Sequence, residues 1–243
     1  MNEQRDPPED PLTIGILGGM SSTSTVEYYR GIDEGVNRAL GGHHAGDILI
    51  RSVDFADIRE FIRTDQWEEA GAYLADAARD LVGGGADFVV MATNTMHRVA
   101  PRISDAISVP LVHIVDATAD AVLDAGLDTV GVLGTEVTMA EPFYRERFAA
   151  RGVDVVAPDP EHHGAIDRVV FEELTRGEVR DESRGYYLDR IDELVDAGAE
   201  GVVLGCTEIE LLVDQSDCPE TPLFDTTALH VERAVEYSLT GIE

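Results

Sequence analysis

The chain has 243 residues, of which 44% are hydrophobic, and its 48 acidic and 18 basic side chains give a formal charge of −30. Every basic residue is arginine, which excludes a pyridoxal-phosphate Schiff base, a P-loop and a lysine-dependent aldolase. The acidic balance argues against nucleic acid or anionic membrane as a partner, and no apolar run is long enough to span a bilayer.

The acids are spread along the whole chain, not gathered as in a nucleic-acid mimic or a metal store. That pattern fits a solvated halophilic surface, because high salt screens its self-repulsion. Met1 to Pro11 is polar with three prolines and reads as a disordered tail, not a signal peptide, so a cytoplasmic protein is expected. Two cysteines, Cys206 and Cys218, make no disulfide framework.

In chain order, Leu12–Leu17 reads as a strand, followed by a Gly18-Gly19-Met20-Ser21-Ser22 loop. Ser24 or Thr25 is placed to cap a helix through Tyr28, Tyr29, Ile32 and Val36. Strands are expected over 47–53, 88–91 and 109–114, and helices over 67–82 and 227–239. This alternation predicts an α/β fold with parallel sheets.

The order then repeats. Gly15-Ile-Leu-Gly18 returns as Gly131-Val-Leu-Gly134, Ser22 meets Thr138, and Tyr28 meets Tyr144. The segment from Gly85 to Thr95 aligns with that from Gly198 to Glu208, which sets Thr93 where Cys206 stands. Two pseudo-symmetric lobes follow, 12–112 with 226–243 and 113–225, each a parallel sheet flanked by helices. Ligands of open parallel sheets bind beyond the carboxyl ends of strands, so the active site is expected in a cleft between the lobes.

Cys206 follows the buried strand Gly201–Gly205 and precedes an apparent helix start. A free buried cysteine is often only a small hydrophobe, but a strand end facing a helix N-terminus favours a reactive thiolate. The reactive reading is preferred here. Cys218 lies in an acidic loop and is given no role. The groups of Thr93-Asn94-Thr95 suit a carboxylate as well as ordinary capping. His97 reads equally as an orienting group or a core histidine, and His162 and His163 as solvent-exposed. Arg51 is a carboxylate fork if it points inward and carries nothing if it faces solvent. Arg168, read as lying ahead of a helix at 169–174, is a weaker candidate for the same task. No spacing points to a metal site.

These segments together resemble the cofactor-independent aspartate/glutamate racemase family. The likeness rests on Ile14-Gly-Ile-Leu-Gly-Gly-Met20 with its Ser/Thr-rich loop, Met91-Ala-Thr-Asn-Thr-Met-His97, Gly131-Val-Leu-Gly-Thr-Glu-Val-Thr138, Arg168-Val-Val-Phe-Glu-Glu-Leu174 and Gly205-Cys-Thr-Glu-Ile209. The resemblance implies a homodimer that uses no cofactor and no metal, with one cysteine per lobe working on opposite faces of a small amino-acid substrate. Cys206 matches the second-lobe cysteine. Asn94, Thr95, Thr135 and Thr138 match positions that hold carboxylates, and Met20, Ser21, Ser22 and Thr207 match the pocket lining. Arg51 and Arg168 match basic residues at the side-chain carboxylate. Thr93 departs from the pattern, since a cysteine is expected there. That leaves three possibilities: a racemase biased from L to D, a one-thiol relative of the arylmalonate-decarboxylase or maleate-isomerase kind, or an inactive binding protein.

Overall fold

The computed structural model describes residues 11–242. The tail expected to be disordered therefore lies almost wholly outside the described residues. In chain order the elements are β1 (Ile14–Gly18), α1 (Ser22–Leu40), β2 (Ile48–Ser52), α2 (Phe55–Arg63), α3 (Trp67–Gly83), β3 (Phe88–Met91), α4 (Ala100–Ser104), β4 (Leu111–Val112), α5 (Ile114–Asp124), β5 (Thr129–Gly134), α6 (Glu136–Ala140), α7 (Pro142–Ala150), β6 (Asp154–Val156), α8 (Pro160–Glu172), α9 (Asp181–Asp196), β7 (Gly201–Gly205), β8 (Leu223–Asp225) and α10 (Thr226–Thr240).

These elements build two four-stranded parallel sheets, β2-β1-β3-β4 and β6-β5-β7-β8, each flanked by helices. The central strands β1, β3 and β7 are buried throughout, as helix-covered parallel strands must be. Side chains of β7 alternate between two cores. Val203 packs with Val130, Val132, Tyr144 and Phe148, while Val202, Leu204 and Cys206 pack with Leu133, Ile166, Tyr187 and Leu194. In the other sheet, Ile14 and Ile16 of β1 pack with Tyr28, Phe88, Val90 and, from α10, Val231 and Ala234.

The chain divides into two compact units. One runs to Ala92 and includes Val99–His113 and the chain from His230; the other is Thr93–Arg98 with Ile114–Leu229. Thr93–Arg98 groups with the second unit because its side chains bond there: Asn94 to Thr226, Thr95 to Thr135 and Arg98 to Glu141.

Both sheets use the same small-residue device. A Cβ on Gly15 would lie 2.9 Å from Ala86 Cβ, and one on Gly131 would lie 2.9 Å from Leu194 Cδ1. Glycine at the second position of β1 and the third of β5 thus lets packed side chains close onto the strand.

Several local expectations are corrected. Ser21, not Ser24 or Thr25, caps α1, with its side chain accepting from Ser24 N–H. The helix expected at 169–174 begins nine residues earlier, at Pro160 behind the Asp159 cap, so Arg168 lies inside α8. His163, on the same helix, is buried, and its Nε2 pairs with the Pro158 carbonyl at 2.9 Å. After Cys206 the chain makes only a 3-10 turn, Ile209–Leu211. Asp214 then accepts from Ser216 N–H and Oγ, turning the chain before a helix can propagate.

The surface is strongly acidic, and α9 alone exposes Asp181, Glu182, Asp189, Asp192, Glu193 and Asp196. The arginine pairs on this surface are mostly well exposed, where each is worth about 0–1 kcal/mol. Self-repulsion is therefore expected to govern the salt response. The thermal midpoint should rise as KCl goes from about 0.1 M to about 1 M, where the Debye length falls to about 3 Å. A midpoint that is flat or falling in calorimetry would show that the acidic surface is already balanced.

Candidate active site

The two ladders establish which residues are equivalent. Gly15 pairs with Val89 and Gly131 with Val202. Thr93 lies four residues beyond Val89, and Cys206 four residues beyond Val202. Both residues are buried just past the carboxyl end of a central strand, where parallel sheets present their ligand sites.

Cys206 donates its thiol proton to Glu208 Oε2 at 3.1 Å, and Thr207 Oγ1 donates to the same oxygen at 2.6 Å. All three residues are buried. Burial raises the pKa of the thiol well above its ordinary value, and the Glu208 carboxylate raises it further. The backbone N–H of Glu208 is a smaller influence in the opposite direction. The expectation of a helix-stabilised thiolate is thus corrected: the turn after Cys206 is too short to provide an α-helix dipole, and the resting group is a thiol. Glu208 was not singled out from sequence. Its sequence signal was an acid two residues beyond Cys206, just past an apolar strand, where an acid is rarely buried unless paired.

Around this centre run two polar chains. Thr95 Oγ1 meets Thr135 Oγ1 at 2.9 Å, and Thr135 Oγ1 meets Thr138 Oγ1 at 3.1 Å. Thr135 also caps α6 by accepting from Thr138 N–H. In the second chain, the Tyr144 hydroxyl donates to Asn94 Oδ1, Asn94 Nδ2 donates to Thr226 Oγ1, and Thr226 donates to the Leu204 carbonyl, each at 2.9 Å. Tyr144 is wholly buried. Burial raises its pKa far above the ordinary value, with a further push from Cys206.

His97 has a backbone assignment. Nδ1 lies 2.7 Å from the Thr93 carbonyl, and Nε2 accepts from Ile114 N–H at 3.3 Å. Nδ1 therefore carries the hydrogen and the ring is neutral. His97 braces the main chain at Thr93 from inside the protein.

Other candidates lie elsewhere. Met20 and Ser21 are buried and Ser22 is exposed; Thr25 Oγ1 ties this loop together by donating to the Ser21 carbonyl and accepting from Gly19 N–H. Arg51 sits on β2 with its side chain 43% exposed, its Nε on Asp80 at 3.0 Å and one Nη on the Ser52 carbonyl. Arg168 is on the exposed face of α8 and lines a cavity of about 440 Å³ with Glu173, Arg180, Ser183 and Tyr186. None of the other candidate residues lines that cavity. Among the described residues, no His, Cys, Asp and Glu group could hold a metal ion, and no helix is long and apolar enough to cross a membrane.

A duplicated parallel α/β fold with hydroxyl, amide and thiol groups at its strand ends is the fold of the amino-acid racemases, isomerases that work without a cofactor. The family model for Asp/Glu/Hydantoin racemase matches residues 17–234, and the chain belongs to that family. It is 25% identical over 221 residues to the broad specificity amino-acid racemase RacX of Bacillus subtilis strain 168, covering 88% of this chain and 93% of that one. A Yersinia pestis structure with a provisional Asp/Glu racemase assignment is 42% identical, with a TM-score of 0.88, over 93% of this chain and 99% of that one. The structure of an aspartate racemase homologue from Pyrococcus horikoshii OT3 is 32% identical, with a TM-score of 0.80, over 93% and 98%.

Replacing His97 with Leu leaves the Thr93 carbonyl and the Ile114 amide unpaired in the interior. At about 1–3 kcal/mol for each of the two buried orphans, a loss of about 2–6 kcal/mol is expected from urea unfolding. A loss under about 1 kcal/mol would mean that His97 is not this brace.

Proposed function

We propose that the chain is a racemase of acidic amino acids, aspartate or glutamate, with Cys206 as the base at Cα. The observation that carries this reading is the thiol held 3.1 Å from the buried Glu208 carboxylate at the strand end. Membership of the family supports it, as does the absence of any lysine for a pyridoxal route.

In this reading Glu208 accepts the thiol proton as substrate arrives. The thiolate then removes the α-proton. The electron pair left on Cα spreads into the α-carboxylate, which is held by hydroxyls and amides of Asn94, Thr95, Thr135, Thr138 and Thr207. Thr93 hands a proton from water to the opposite face of Cα. Glu208 returns its proton to that water, and Cys206 keeps the substrate's former proton, so the thiol is restored.

The raised pKa of Cys206 makes the thiolate rarer but a stronger base once formed. Thr93 cannot match it, because its hydroxyl is far less acidic than a thiol at about 8.5. At saturation the turnover is therefore higher from L to D than from D to L, while kcat/KM stays equal in both directions because the enantiomers have equal free energy. His97 does not feed Thr93, because both ring nitrogens are already engaged by the backbone.

Incubation with L-aspartate or L-glutamate in deuterated buffer at molar KCl is expected to put deuterium at Cα of the D product. Cys206→Ser should abolish this, and Thr93→Cys should raise the D-to-L rate. Absence of Cα exchange with both amino acids would overturn the proposal, as would carbon dioxide release from an arylmalonate in its place.

Glu208→Gln separates two effects. It removes a charge that raises the thiol pKa, so the pH profile of iodoacetamide alkylation at Cys206 should shift to lower pH. Turnover should nevertheless fall about 10²-fold, in the range for loss of a general base. A rise in turnover would show that Glu208 only hinders the thiolate.

A further inference from the structure

The two polar chains beside Cys206 differ in one chemical respect. Thr95, Thr135 and Thr138 meet hydroxyl to hydroxyl, and either oxygen of each pair can be the donor. That chain can reverse to suit an acceptor or a donor. The chain through Asn94 cannot.

Its direction is imposed from the sheet. The Leu204 carbonyl can only accept, so the single Thr226 hydroxyl hydrogen is committed to it. Thr226 Oγ1 is then purely an acceptor toward Asn94, and Nδ2 must face it. That leaves Oδ1 on the other side, where the Tyr144 hydroxyl donates to it. Turning the amide over would set Oδ1 against the Thr226 oxygen and two N–H groups against the Tyr144 hydroxyl. Asn94, Tyr144 and Thr226 are all nearly or wholly buried, and a buried mismatch of this kind costs about 1–3 kcal/mol. One Nδ2 hydrogen remains uncommitted, and its direction is fixed.

We infer that Thr226 and Tyr144 are specificity-determining positioning residues: they lock the Asn94 amide so that its spare N–H, and not its carbonyl, meets the substrate, which selects a carboxylate over a carboxamide. The inference rests on the reading above that Asn94 holds a substrate carboxylate. A carboxylate gains a charge-assisted bond from a fixed N–H, roughly twice as strong as a neutral one. A carboxamide can meet that N–H only through its neutral carbonyl oxygen, and its own N–H groups gain no acceptor from Asn94. Thr226 marks the carboxyl end of β8 and Tyr144 lies in α7. Neither needs to touch the substrate.

The test is calorimetric binding of L-aspartate, L-asparagine and the α-amide of L-aspartate to the wild type, Thr226→Val, Thr226→Ser and Tyr144→Phe. Circular dichroism checks that each variant folds. The wild type should prefer the diacid to at least one amide. Thr226→Val should cut that preference tenfold or more, Tyr144→Phe should cut it less, and Thr226→Ser should retain it. A merely structural role would weaken acid and amide alike, and Ser would not separate from Val by ratio. Equal weakening, an unchanged ratio in Thr226→Val, or a wild type that binds acid and amides equally or not at all would overturn the inference. Binding needs no turnover, so failure of the racemase reading shows separately, as absent Cα deuterium exchange by the wild type.

Discussion

The candidate site depends on the parallel ladder between β5 and β7. Its register runs from Val130 and Gly201 to Gly134 and Gly205. At that last pair the backbones approach so closely that a Cβ on Gly134 would lie 2.8 Å from the Gly205 carbonyl oxygen. Glycine is needed at 134 for this approach, and a Cβ on Gly205 would itself be tight, 3.2 Å from the Leu133 carbonyl oxygen. Thr135 and Cys206 then leave the sheet at the same level. The Leu204 carbonyl, one residue earlier, holds Thr226 and through it Asn94. One ladder thus sets the height of the thiol, the start of the hydroxyl chain and the orientation of the amide.

The electrostatics at the two ends of the molecule's charge range are unlike. On the surface, acids are solvated and their repulsion is a matter for salt. At Cys206, a single buried carboxylate outweighs them, because low local dielectric strengthens every nearby charge. Glu208 accepts the hydrogen bond of the thiol and favours its protonated form. Burial and this carboxylate push in the same direction, so the sulfur rests neutral. A neutral thiol is also the form that an interior tolerates without a counter-charge.

The repeat shows what duplication conserves and what it leaves open. Both halves keep the strand order, the glycine on the first central strand and a tyrosine on the helix side. The tyrosines have separate partners: Tyr28 bonds His230 Nδ1, whose Nε2 meets the Val112 carbonyl, while Tyr144 bonds Asn94. The equivalent strand ends differ as well. One carries a thiol beside Glu208, and the other a hydroxyl whose main chain is braced by His97. Scaffold positions are held by packing against buried neighbours. Strand-end positions answer to local hydrogen bonds and are free to diverge.

The sequence by itself determined the parallel α/β class, the duplication and the equivalence of Thr93 with Cys206. Those features are written in apolar runs, glycine punctuation and spacing, all of which act between near neighbours in the chain. The strands and the helix at 67–83 were legible for that reason. The helix that begins at Pro160 was placed only in its last turns, at 169–174, because its first two turns are polar. Tertiary structure alone decided the rest. Whether the thiol met a helix dipole or a carboxylate depended on where the segment 209–213 was cut off by the Asp214 turn. Arg51 went to Asp80 on α3, Asn94 to Tyr144 and Thr226 at distances of 50 and 132 residues in sequence, and His97 to the Ile114 amide. Long-range polar partners have no periodic signature, because a hydrogen bond depends on where two atoms end up after the apolar faces have packed.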